Sequence, residues 1–268
     1  MSTQTIEKTQ ETPVRRSGFG HAVRAEWVKL WTVRSTWWTV VALVVLGAGL
    51  TTLVCWGNAD WLASEQEESP GSFITWGMMI AQVCAVIVGT LAVTSEYGTG
   101  MARTTFAAVP HRGLVFLAKA LVVCGVLFVV GTVTALLGYF GGNFFLDREG
   151  IGMALEGDVA RAMYGSGLFL AALGLLSMAV GFLVRHTAAA ISIVLATVFV
   201  IGNMVMLIPG ELGDWITKLM PGNVASSLVA PVSFNPDALD AWTGFGVLMA
   251  EVGALCALAW WLLERRDA

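Results

Sequence analysis

Charge is scarce in this chain. Only 13% of its 268 residues are charged, against about 25% in soluble domains, while 56% are hydrophobic and the mean hydropathy is +0.74. That is far more apolar surface than one soluble core of this size uses, and the composition points to an integral membrane protein. Other absences exclude chemistry. No GxxxxGK[ST] loop occurs, so the chain lacks the Gly-rich turn that cradles a nucleotide before a helix. Its three histidines, His21, His111 and His186, form no HExxH pairing, which argues against a zinc-dependent intramembrane protease. No pair of aspartates lies within the apolar runs to support an aspartyl mechanism. Four cysteines, Cys55, Cys84, Cys124 and Cys256, stand singly in apolar surroundings and read as small packing residues, not as a disulfide framework or metal ligands. No catalytic residue, cofactor site, metal site or nucleic-acid partner is expected of this chain.

In place of charge there are long uncharged runs. Residues 35–59, 69–95 and 120–146 hold 25, 27 and 27 residues without a charge, each long enough to cross a bilayer core of about 30 Å as a helix. Taken in order, the chain reads as an all-α membrane protein with six transmembrane helices, at about 36–56, 73–94, 117–140, 162–184, 188–208 and 242–263. Residues 1–20 are polar and aperiodic and read as a disordered tail. The first apolar run starts too late and runs too long for a signal peptide, so it is read as a retained anchor. Residues 21–35 wind as an amphipathic helix with Val23, Trp27, Leu30 and Trp31 on one arc and Glu26, Lys29 and Thr32 roughly opposite. That is the pattern of an interfacial helix under the first span, with Arg24, Lys29 and Arg34 in reach of lipid phosphates. The turn at Arg185 and His186 is so short that spans four and five must form an antiparallel hairpin. Residues 209–241 carry Pro209, Pro221, Pro231 and Pro236 and read as short re-entrant or interfacial helices. Residues 264–268 close the chain. Twelve of the fifteen Lys and Arg fall on the face that holds the tail, the link between spans two and three, the turn at Arg185 and the C-terminus. By the positive-inside tendency both termini are cytosolic.

The stretch between spans two and three, residues 95–112, carries Arg103, His111 and Arg112 against a single carboxylate, Glu96. Gly98 and Gly100 permit a sharp exit from the second span, residues 101–109 are helix-compatible, and Pro110 stops the run. It reads either as a short cytosolic helix parallel to the membrane or as a plain connecting loop. Inside the spans, small-residue stripes (Gly167, Ala171, Gly174 and Gly181 on the fourth; Ala188, Ser192 and Ala196 on the fifth) allow close helix approach. Glu251 lies about 15 Å into the sixth span, where an ionisable group costs about 3 kcal/mol on insertion scales. It needs a partner, and Asn203 on the fifth span is a candidate at comparable depth. Glu251 reads either as a group on a substrate or proton path or as hydrogen-bonded structural glue.

Two motifs carry a family resemblance. Arg24-Ala-Glu26-Trp27-Val-Lys29-Leu30-Trp-Thr-Val-Arg34-Ser35-Thr-Trp37 resembles the lead-in to the first span of type-2 permeases of ATP-binding-cassette exporters, especially actinobacterial ones. Glu96-Tyr97-Gly98-Thr99-Gly100-Met-Ala-Arg103-Thr104-Thr105, followed by Pro110-His-Arg112, resembles the segment after their second span. The resemblance implies a connecting helix at 21–35, using Arg24, Glu26, Lys29 and Arg34. It also implies a coupling helix within 96–112, using Glu96, Tyr97, Gly98, Gly100, Arg103, Thr104, Pro110 and Arg112, that docks on a separate ATPase subunit holding the ATP and Mg. A second permease copy, in a bacterial plasma membrane, would complete the translocation path. A non-transporting scaffold or sensor subunit with the same fold is the alternative.

Overall fold

The computed structural model describes residues 18–64, 68–101, 104–105, 112–205, 207–224, 226–232 and 238–265. The tail reading lies almost wholly outside the described residues, as do Arg103 and Pro110 of the coupling segment. Nine helices are named here: α1 (Phe19–Thr32), α2 (Arg34–Ser64), α3 (Met78–Gly98), α4 (Arg112–Arg148), α5 (Gly157–Val184), α6 (Thr187–Val205), α7 (Glu211–Leu219), α8 (Ser226–Val229) and α9 (Ala241–Arg265). Six of them, α2 to α6 and α9, are long and apolar enough to cross a membrane. Among the described residues there is no strand. This is a multi-pass helical membrane protein.

Several helices overrun the expected spans. At 37 residues, α4 is about 55 Å long and so projects beyond a core of about 30 Å. The second span starts later than expected: residues 73–77 are turns after a 3₁₀ segment, Pro70–Ser72, and α3 begins only at Met78. The reason is a close crossing of α2. A Cβ at Gly77 would lie 1.7 Å from the Gly47 carbonyl oxygen, and the Gly77 N–H donates to Thr51 Oγ1 at 2.9 Å. The tail also ends earlier than expected, because α1 is already helical at Phe19.

The most buried of the six is α5, packed against α3, α4 and α9. Its expected stripe of small residues is what seats it: a Cβ at Gly167 would meet the Phe128 carbonyl oxygen at 2.5 Å, and Ala171, Gly174 and Gly181 are buried with it. The stripe expected on α6 does not pack within this chain. Ala188 and Ser192 are exposed, and the buried face carries Ala190, Val194 and Val198 instead. The middle of α6, Ala196–Ile201, is a π-helical stretch. The broken segment after it forms the two short helices α7 and α8, and Leu228 of α8 is fully buried against Gly165 of α5.

The ends of the helices gather on two faces. Contacts of α1, the end of α3, the start of α4, the α5–α6 turn and the end of α9 define one. We call this the hinge end, since the described residues of the 98–112 segment belong to it. At the opposite end Ser72 donates to the Val232 carbonyl, Arg161 to that of Ala230, and Tyr139 to that of Met153.

Candidate functional site

The site begins with the spacing of α1. Ala22, Glu26 and Leu30 recur every four residues and form its buried face. Residues four apart lie only about 40° apart around a helix, so Glu26 shares a face with Leu30 and points inward. This corrects the expected arc: Glu26 is 5% exposed, whereas Trp27 is half exposed. A single residue, Val33, separates α1 from α2. The elbow is held by the Trp37 indole N–H donating to the Trp31 carbonyl at 2.9 Å and by rings of Trp31 and Trp37 4.7 Å apart.

Against that face α3 brings Glu96 and α4 brings Lys119, 9% and 4% exposed. Four charges close a ring. Lys29 Nζ donates to Glu26 Oε1 at 2.6 Å and to Glu96 Oε1 at 3.0 Å. Lys119 Nζ donates to Glu26 Oε2 at 2.5 Å and to Glu96 Oε1 at 2.9 Å. The third N–H of each ammonium is also used, by Thr105 Oγ1 at 3.3 Å for Lys29 and by the Ala92 carbonyl at 2.7 Å for Lys119. Two carboxylates and two ammoniums cancel, which is the condition for holding charge away from water. Burial pulls the Lys29 ammonium down, but its hydrogen bonds and charge interactions with Glu26 and Glu96 prevail and hold its pKa above the ordinary value of 10.5.

The other flanks of the hinge are tied to other helices. Tyr97, next to Glu96, lies under the Arg185 guanidinium at 5.0 Å. Arg185 is the left-handed C-cap of α5, φ 56°, and two residues on, at the start of α6, the Thr187 hydroxyl donates to Thr94 Oγ1 at 2.8 Å. Arg112, the first residue of α4, donates to the Leu263 carbonyl in the last turn of α9 at 3.1 Å, where cations suit the helix C-terminus. Trp260 of α9 lies against Gly113 and Phe116.

Beside the charged ring is a cavity of about 270 Å³ between α1, α2, α3 and α4. Its walls are mostly aliphatic, with the ring forming the polar wall.

No family model fits the chain, and no curated relative is found.

Of the residues expected to form a docking surface, Glu96 is instead buried in the ring, while Tyr97 and Arg112 bind helices of this chain. Gly98 ends α3, and Gly100 takes φ +74°, the turn conformation that suits glycine. Thr104 is exposed and helical, its hydroxyl donating to the Met101 carbonyl at 2.8 Å. Arg24 and Arg34 are exposed. The structure does not bring Asn203 to Glu251. Asn203 is exposed, with its amide donating to the Phe199 carbonyl of its own helix at 2.5 Å. Glu251 is half-buried, and its Oε2 has no hydrogen-bond partner among the described residues. Lys119 is the residue that sequence reasoning missed. One signal was available: it stands alone, seven residues past Arg112, in an otherwise apolar helix, where a lone cation needs a carboxylate.

Proposed function

We propose that this chain is the permease subunit of an ATP-driven exporter, its residues 98–112 being the surface on which a separate ATPase subunit acts. One observation carries the reading. The two flanks of the hinge are joined by charge-assisted and aromatic contacts to α1, the α5–α6 turn and α9, so a displacement of the hinge moves helices that are distant in sequence. A plain connector needs no such ties. The scarcity of chemistry elsewhere is consistent with ATP hydrolysis in a partner that holds ATP and Mg. Both termini are cytosolic in this reading, the membrane is the bacterial plasma membrane, and a second permease copy completes the path.

Coupling requires contacts with the ATPase that differ between two states, because equal contacts transmit no bias. The test uses Thr104, an exposed hinge position outside the buried ring, and its basic neighbour in the sequence, Arg103. Thr104→Glu and Arg103→Glu are expected to leave the solubilised protein's melting temperature unchanged. In membranes of the native host they should lower recovery of a nucleotide-hydrolysing partner and the ATP turnover that accompanies it. Unchanged partner recovery and turnover with both substitutions present would reduce the segment to a connector. Recovery of a partner without ATP-driven movement of any solute would favour the scaffold or sensor subunit.

A further inference from the structure

The cavity beside the charged ring has the general form of a small-molecule site, an apolar chamber with a few convergent polar groups. Leu30, Leu91, Val122 and Val123 supply aliphatic wall, and Glu26, Lys29, Glu96 and Lys119 supply the polar side. Counting donors and acceptors decides which head group that side can take. An ammonium has three N–H donors, and Lys29 and Lys119 each already spend all three. The hydroxyls of Thr32, Ser95 and Thr99, also in the wall, donate to carbonyls of their own helices. Among the described residues of the wall, Thr36 is the one side-chain donor not so engaged. The acceptors, by contrast, are not exhausted. A carboxylate offers about four lone-pair positions. Glu26 accepts one hydrogen bond on each oxygen, and Glu96 takes both of its bonds on Oε1. Glu96 Oε2 accepts none from any described residue. Among the described residues an anionic head would therefore meet no cation in the wall with a donor to spare, whereas a donor head would meet an unfilled carboxylate oxygen.

We infer that this cavity binds a small uncharged amphiphile with an aliphatic body and a hydroxyl head, the head donating to Glu96 Oε2 and the body lying along Leu30, Leu91 and Val122, so that the ring stays neutral in sum. The site is built within one copy of this chain and does not depend on the exporter reading, so the two can fail separately. Hexan-1-ol and methyl pentyl ether are matched in size and differ in the O–H donor, and they serve as the probes. The purified full chain in nanodiscs of zwitterionic lipid is titrated with each, and binding is read by saturation-transfer NMR against empty discs. Hexan-1-ol is expected to bind at least tenfold more tightly than the ether. Leu91→Trp, which fills the chamber from its aliphatic wall, should reduce hexan-1-ol binding to the level of empty discs, and Val122→Met should weaken it should the tryptophan variant fail to fold. Equal binding of the two probes, or hexan-1-ol binding undiminished in the filled variants, overturns the inference.

Discussion

Lys119 has three N–H groups and three acceptors on two elements, Glu26 of α1 and, on α3, Glu96 and the Ala92 carbonyl. Removing it leaves Glu26 and Glu96 sharing Lys29 alone. Breaking one partner of a buried ion pair costs about 3–5 kcal/mol, because a charge is left uncompensated. Lys119→Met is therefore expected to lower the melting temperature of the solubilised protein sharply. Glu26→Gln together with Lys119→Met restores neutrality and should be milder than Lys119→Met alone, and simple addition of the two single losses would show that the ring does not act as a unit. The contribution of Lys29 to the ring is insensitive to mild alkali. A lysine whose pKa is raised in the fold contributes stability that is complete below the unfolded value and disappears only as pH rises through the folded one. For Lys29 that window lies above 10.5, so no loss from this residue is expected at neutral or mildly alkaline pH. Glu251 poses the converse case. With no partner for Oε2 among the described residues, Glu251→Gln removes no described ion pair and should leave thermal stability intact. If the carboxylate lies on a transport path, the same change should reduce solute-stimulated ATP turnover; undiminished turnover would return Glu251 to a structural role.

At the scale of the helix, glycine decides how closely two backbones approach. Gly77 sits where α3 begins against α2, and a methyl group there would need the Gly47 carbonyl to move. Overpacking of this kind costs about 1–3 kcal/mol, occasionally more. Gly246 in α9 has no atom within 4 Å of where its Cβ would be, and within a helix alanine is favoured over glycine by about 1 kcal/mol. Gly77→Ala should thus lower the melting temperature and Gly246→Ala should leave it unchanged or raise it. A pair of equal effects would mean that the α2–α3 crossing is not set by Gly77. The elbow at Val33 matters at this scale too. One residue joins α1 to α2 and two tryptophans brace it, which ties the end of α1 to the start of the first span.

For the whole molecule, the contacts place the described start and finish of the chain at one end of the bundle, where Phe19 and Glu264 line the same open groove. Which side of the membrane that end faces rests on the basic residues. A cysteine at Asp60, exposed near the far end of α2, should react with an impermeant thiol reagent on intact cells once the four native cysteines are replaced. One at Thr104 should react only after lysis. The reverse pattern would invert the orientation.

Six spans were legible in the sequence because bilayer thickness and helix rise together demand about twenty uncharged residues per crossing, and that demand is local. The α5 stripe was legible for a similar reason: small residues at helical spacing have few uses besides close packing. The turn at Gly100 could be read because positive φ favours glycine. The site was not legible, since each of its four charges has an ordinary local explanation as an interfacial or flanking residue. Glu26 and Lys29 belong to one helix, but Glu96 and Lys119 lie 67 and 90 positions beyond Lys29 in the chain. Only the packing of α1 across α3 and α4 makes neutral in sum, and so tolerable in the interior, what would be four separate penalties. The absence of a bond between Asn203 and Glu251 has the same origin, because equal depth along two spans says nothing about which faces the helices turn to one another.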